Sequence, residues 1–74
     1  MKAEIFEDWA DLLEMTGSSR EAVRLMKVAG ASPSEAARAT ALHRSVTTRA
    51  AAKFEDRISE HMPRIKRIAQ SSPD

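Results

Sequence analysis

Apolar residues recur along this chain at spacings of three and four, the rhythm of amphipathic helices. Residues 2–15 read as a first helix, with Ile5, Trp9, Leu12 and Leu13 on one face, acids on the other, and Thr16-Gly17-Ser18 as its end. A second helix starts at a Ser18 or Ser19 cap, turns Ala22, Val23, Leu25, Met26 and Ala29 to apolar neighbours, and stops at Gly30. A third is written most strongly. Ser32 precedes Pro33 at the first helical position, and Glu35 follows Ser32 by three residues, which together make a capping box. Its Ala36, Ala37 and Ala41 are small enough for another helix to cross closely. A fourth starts near His43 with Thr47, Ala50, Phe54 and Ile58 facing inward. The stripe then continues through Met62, Ile65 and Ile68, interrupted by Pro63, which opens a separate short helix with Arg64, Lys66 and Arg67 opposite the isoleucines. The expected fold is an all-α, compact four- to five-helix domain over residues 1–70, followed by a polar tail or linker start at residues 71–74.

No Gly or Pro lies between Ser34 and Met62, so a single uninterrupted helix competes with a bend near Leu42. At about 100° per residue, a continuous helix turns Leu42 some 120° away from the stripe of Ala36, Phe54 and Ile58. Leu42 is the one large aliphatic side chain between Ser34 and Ser45, and leaving it in water forfeits about 1.5–3 kcal/mol of burial. A bend returns it to the core. Residues 32–54 therefore read as two helices joined by a turn, a helix-turn-helix.

With Thr47, Ala50 and Phe54 inward, the opposite side of the fourth helix presents Arg44, Ser45, Thr48, Arg49 and Lys53, with His43 and Val46 at its edge. Guanidinium, ammonium and hydroxyl donors on one helical face suit base edges and phosphates in a major groove. Arg44 and Arg49 are the candidates for guanine, and Ser45, Thr48 and Lys53 for phosphates. His43 is a candidate for a phosphate contact or a helix cap.

Charge sharpens this picture. The formal total is +1, but residues 1–16 carry one Lys against five acids, whereas the remainder carries eleven Lys or Arg against six acids. An acidic helix turned away from a basic surface matches a protein oriented by a phosphate backbone.

Composition removes most other chemistry. Seventy-four residues make one small domain with a limited core. There are no cysteines, hence no disulfide framework or thiolate zinc site, and two isolated histidines do not make a metal cluster. Met15 and Met26 read as gap-fillers rather than cofactor ligands. No nucleophile, acid and base are spaced to converge, His61 reads as a surface residue near a helix end, and Glu55-Asp56 as a solvated face, so neither an enzyme nor a cofactor or small-molecule substrate is expected. No apolar run approaches about 18 residues and no signal peptide is present, so neither a membrane nor a secreted location is indicated.

Residues 20–54, REAVRLMKVAGASPSEAARATALHRSVTTRAAAKF, resemble the TrfB/KorA-like helix-turn-helix proteins of conjugative plasmids. The shared arrangement is a helix leading into a Gly, then S-P-S-E-A-A-R, a Leu-centred turn and L-H-R-S-V-T-T-R-A, over about half the chain. The resemblance implies a cytoplasmic, bacterial, nucleoid- or plasmid-associated protein that represses transcription of plasmid maintenance and transfer genes. Similar modules occur in StbA-type plasmid stability proteins, which implies a segregation role as the alternative outcome of DNA occupancy. Two positions depart from the family pattern: Ala41 stands where the turn often has Gly, and Thr47 where an inward aliphatic is usual, with Val46 beside it. One register puts Arg44, Ser45, Thr48 and Arg49 on DNA, while Ala37, Leu42, Thr47 and Ala50 hold the helices together. The register shifted by one makes Val46 core and moves Thr47 to the contact face.

The sequence thus leads to a binder of double-stranded DNA, acting as a homodimer or as a tandem assembly on repeated sites. The competing reading is a helical protein-interaction module in which Phe54, Ile58, Met62, Ile65 and Ile68 dock a partner helix. That stripe serves equally as an intramolecular core or as a dimer interface.

Overall fold

The computed structural model describes residues 1–70, with the backbone alone for 66–70. Four helices follow one another: α1 (Ala3–Leu12), α2 (Gly17–Lys27), α3 (Pro33–Thr40) and α4 (Arg44–Gln70). Helices α2, α3 and α4 pack mutually, and α1 lies on α2. The protein is all-α over the described residues, with four helices rather than five.

Aromatic side chains centre the larger part of the core. Phe6 of α1 and Phe54 of α4 meet with ring centroids 5.3 Å apart and planes tilted by 40°, within the range favoured by aromatic quadrupoles. Ala10, Leu13 and Val23 complete this buried cluster, and Trp9, Met15, Val28, Ala50 and Ile58 pack against it. The second part is built from small side chains. Ala22 of α2, Ala36 and Ala37 of α3, and Thr47 and Ala51 of α4 are all buried, so the three helices approach closely with little side-chain volume between them.

The inward face of α1 keeps Leu13 of the expected set but not Ile5 or Leu12. Phe6, Ala10 and Leu13 are buried, whereas Ile5 and Leu12 are exposed and Trp9 is half-buried. Both rows are apolar at spacings of four and three, and they differ by one position, about 100° around the helix. The Phe54 ring and the small Ala10 side chain select the Phe6 row. The helix also ends at Leu12, earlier than the sequence implies, because Glu14 adopts a left-handed conformation with φ 57°. The Met15 amide then donates to the Ala10 carbonyl at 2.8 Å, closing the end of α1.

At α2 the flanking residue is Thr16, which makes no side-chain cap, so neither Ser18 nor Ser19 caps this helix. Gly30 does lie past its end, with φ 75°, a conformation that costs Gly nothing. Two of the α2 cations, Arg20 and Lys27, tie it to α1 and α4, and Arg24 pairs within α2. Arg20 pairs with Glu7 and with Asp11, the latter at 2.9 Å, and also donates to the Met15 carbonyl at 3.2 Å. Arg24 donates to Glu21 at 2.9 Å, and Lys27 reaches Glu55 of α4. The guanidiniums of Arg20 and Arg24 are raised by their hydrogen bonds to Glu7 with Asp11 and to Glu21, and Glu21 is lowered by Arg24.

Helix α4 runs through Pro63 without a break, so no separate helix opens there. Proline at that position removes the bond that the Ser59 carbonyl would accept. Ser59 and Pro63 are both exposed, and water can satisfy that carbonyl. At 27 residues α4 is about 40 Å long, and it sets the 48 Å long axis of a body only 20 by 18 Å across. Of the expected stripe, Phe54 is buried, Ile58 half-buried, and Met62 and Ile65 exposed. The side chains of Lys66, Arg67 and Ile68 and the tail at 71–74 lie outside the described residues.

Phe54→Ala is expected to cost about 3–5 kcal/mol, enough to leave a domain of this size largely unfolded at 37 °C, as measured by urea denaturation followed by circular dichroism.

Candidate nucleic-acid interface

The expected capping box holds α3 at its start. The Glu35 amide donates to Ser32 Oγ at 3.1 Å, and the Ser32 amide donates to Glu35 Oε1 at 2.9 Å. Pro33 occupies the first turn, where its missing N–H costs nothing. The Ser32 amide and hydroxyl bonds hold the Glu35 carboxyl below its ordinary value of 4.5. At the far end of the helix Thr40 Oγ1 donates back to the Ala36 carbonyl at 2.7 Å.

Three residues, 41–43, then join α3 to α4, so the chain bends where Leu42 requires it. Ala41 takes a left-handed conformation with φ 58° and ψ 28°, and the Leu42 amide donates to the Ala37 carbonyl at 3.0 Å. This is the six-to-one closure that ends many helices, usually with Gly at the left-handed position. Ala41 itself is exposed, so of the three alanines expected at the crossing only Ala36 and Ala37 serve it. Leu42 is half-buried.

The start of α4 resolves the register. Thr47 is 0% exposed and Val46 37% exposed, so the hydroxyl residue is the inward one. The burial is possible because Thr47 Oγ1 donates to the His43 carbonyl at 3.2 Å, which also accepts from the Thr47 amide at 3.1 Å. Among the described residues no buried side-chain polar atom lacks a partner, which matters because each such orphan costs about 1–3 kcal/mol. Ala50 is half-buried, and Ala51, not anticipated from the sequence, is buried beside Thr47 on α4.

With Thr47 inward, all six candidate residues, His43, Arg44, Ser45, Thr48, Arg49 and Lys53, are exposed. On α4 they form two neighbouring rows at spacings of four: Arg44 and Thr48 on one, Ser45, Arg49 and Lys53 on the other. Arg57 extends the second row by one more turn and is also exposed. The same spacing from Lys53 would have identified it. Asp56 and Glu60 flank Arg57 and close the basic strip on its outer side. Arg38, exposed on α3, adds a cation to the adjoining helix.

Electrostatics separate these cations from those of α2. Among the described residues, every ion pair engages Arg20, Arg24 or Lys27, and none engages Arg38, Arg44, Arg49, Lys53 or Arg57. The first turn of α4 holds no acid, so its unpaired amides keep the positive end of the helix dipole available to an anion. Beside the strip lies an open cavity of about 400 Å³, floored by Leu13, Met15 and Phe54 and edged by Lys53, Arg57 and Glu14.

The two histidines are far apart. His43 precedes α4, while His61 lies eighteen residues along, about 27 Å by helical rise. His61 is not the plain surface residue expected: it is half-buried, its ring 6.2 Å from that of Trp9. Among the described residues no three His, Cys, Asp or Glu side chains cluster to hold a metal ion, and no helix is long and apolar enough to cross a membrane. No protein-family model, curated protein or solved structure matches the chain.

Ala41→Gly is expected to relieve the left-handed strain and stabilise the domain by about 1 kcal/mol, read as a higher urea midpoint at unchanged slope. The lowered Glu35 carboxyl sets a second expectation. Its contribution is fully present above the unfolded value near 4.5 and is lost as pH falls through the lower folded value. Glu35→Gln keeps the capping acceptor without the charge, so the stability advantage of the native chain over this variant shrinks on acidification, as urea midpoints at a series of pH values will show.

Proposed function

We propose that the chain is a sequence-specific double-stranded DNA-binding protein that lays the start of α4 in a major groove. The observation that carries this reading is the pair of exposed rows, Arg44 with Thr48 and Ser45 with Arg49 and Lys53, whose cations have no acidic partner among the described residues. The cations paired within the protein lie on α2, and the strip on α4 is open to an external anion.

In this reading α3 and the three-residue turn set the angle of α4, and the first two turns of α4 enter the groove as the recognition helix of a helix-turn-helix. Arg44 and Arg49 reach guanine edges, each good bidentate contact discriminating by about 1–3 kcal/mol. Ser45, Thr48 and Lys53 fix the position of the helix on the phosphates, and His43 contributes at the leading edge. Arg38 and Arg57 extend the phosphate footprint to either side.

The regulatory consequence follows from occupancy. A bound promoter is blocked to polymerase, and a bound array of repeats marks a plasmid for maintenance. The resemblance of residues 20–54 to TrfB/KorA-like and StbA-type proteins supports transcriptional repression or plasmid segregation, in a bacterial cytoplasm, as the biological setting. Duplex DNA is the partner, and a second copy of the chain accompanies it on symmetric or repeated sites.

Titration of a selected duplex and a shuffled one at two salt concentrations tests the reading. Arg49→Ala is expected to lose about 1–3 kcal/mol on the selected site with little effect on the shuffled one. Lys53→Ala is expected to weaken both alike and to reduce the salt slope by about one unit. Absence of salt-dependent binding to any duplex would remove DNA from the account.

A further inference from the structure

Helix α1 carries two apolar rows; the monomer core takes the whole of one and only Trp9 of the other. Phe6, Ala10 and Leu13 are buried, and the adjacent row of Ile5, Trp9 and Leu12 borders a groove of about 260 Å³ whose other wall is Ile65 of α4. Met62 stands one turn before Ile65 on α4. Ile5, Leu12, Met62 and Ile65 are between 41% and 55% exposed, and contiguous exposure of this kind marks an interaction surface.

We infer that this groove is a homodimer interface, covered by the same groove of a second copy related by a two-fold axis, with α1 of each copy against the end of α4 of the other. Charge identifies the occupant. Residues 3–12 contain four acids and no base, while Arg64 on the α4 side has no ion-pair partner among the described residues. Glu7 and Asp11 are engaged by Arg20, which leaves Glu4 and Asp8 without an ion-pair partner among the described residues, and Asp8 lines the groove itself. Arg64 is exposed beside Ile65. A surface with an acidic helix on one side and Arg64 on the other is complementary to itself when rotated by 180°, as an isologous contact requires. A foreign partner would have to reproduce both halves, and the chain already carries them.

The size of the contact sets its strength. A ten-residue α1 is about 15 Å long, and two helices abreast span about 20 Å, so each copy contributes about 300 Å². Stable complexes use about 800 Å² per partner. The dimer is therefore weak in free solution, and two copies on neighbouring DNA sites gain from their high effective concentration. The contact needs no DNA to form, so its test stands apart from the DNA reading.

Sedimentation equilibrium without DNA, from about 10 µM to about 1 mM, covers the range expected of so small an interface. The weight-average mass is expected to rise from the 8.2 kDa of the monomer towards twice that value. Leu12→Glu and Ile65→Glu, both at exposed positions, are expected to keep the native helical circular dichroism and weaken association by about tenfold or more. Asp8→Lys and Arg64→Asp are each expected to weaken association, and their equimolar mixture to regain it, because opposite charges then face each other in the heterodimer. A native chain that stays monomeric throughout, or a folded Leu12→Glu that associates like the native chain, overturns the proposal. Failure of the mixture to recover overturns the placement of α1 against the partner's α4.

Discussion

The contact between Phe6 and Phe54 is the constraint from which the rest of the arrangement follows. It joins the first helix to the last across forty-eight residues of sequence, and in a chain with three aromatic Phe or Trp residues it supplies much of the large buried apolar surface. Once the two rings meet, the inward side of α1 is set to Phe6, Ala10 and Leu13, and Ile5 and Leu12 are left outside. On α4 the same contact sets the azimuth: a helix with Phe54 inward also has Thr47 inward, seven residues earlier, and so turns Ser45 and Arg49 to solvent.

The end of the molecule that carries the basic rows is held in a different way. Around α3, among the described residues, the buried side chains are alanines and one threonine, and precision comes from hydrogen bonds at defined atoms. The capping box fixes the start of α3, the left-handed Ala41 its end, and the His43 carbonyl accepts twice from Thr47. Close helix approach and bonded ends give a short, defined link between α3 and α4 with little volume. Charge is apportioned in the same economical manner: acids from α1, α2 and α4 take up Arg20, Arg24 and Lys27, whereas the cations at the start of α4 stay unpaired among the described residues.

A third region, the long second half of α4, extends the molecule along one axis and contributes progressively less to the core. Phe54 is buried, Ile58 half-buried, Ile65 largely uncovered. The basic rows belong to the first half of this helix and the apolar groove to the second, so one continuous element links two surfaces of opposite character. Pro63 lies in the second half, where the carbonyl it frees from the helical ladder belongs to an exposed residue open to water.

What the sequence determined by itself was local. Ser32, Pro33 and Glu35 specify the start of α3 because every partner lies within four residues; Gly30 marks the stop before it; and the angular misplacement of Leu42 in a continuous helix was enough to require the bend. The polar and basic side of α4 was legible for the same reason, since spacing alone groups Ser45, Arg49 and Lys53. Tertiary structure decided whatever depended on two choices of similar local merit. The Ile5 row of α1 is at least as apolar as the Phe6 row, and only Phe54 across the chain distinguishes them. Val46 is the better core residue by hydropathy, yet Thr47 is buried because the His43 carbonyl can accept its hydroxyl. Periodicity fixes relative angles within a helix, but the absolute direction of a face is set by the neighbour it packs against, and that neighbour is not local in sequence.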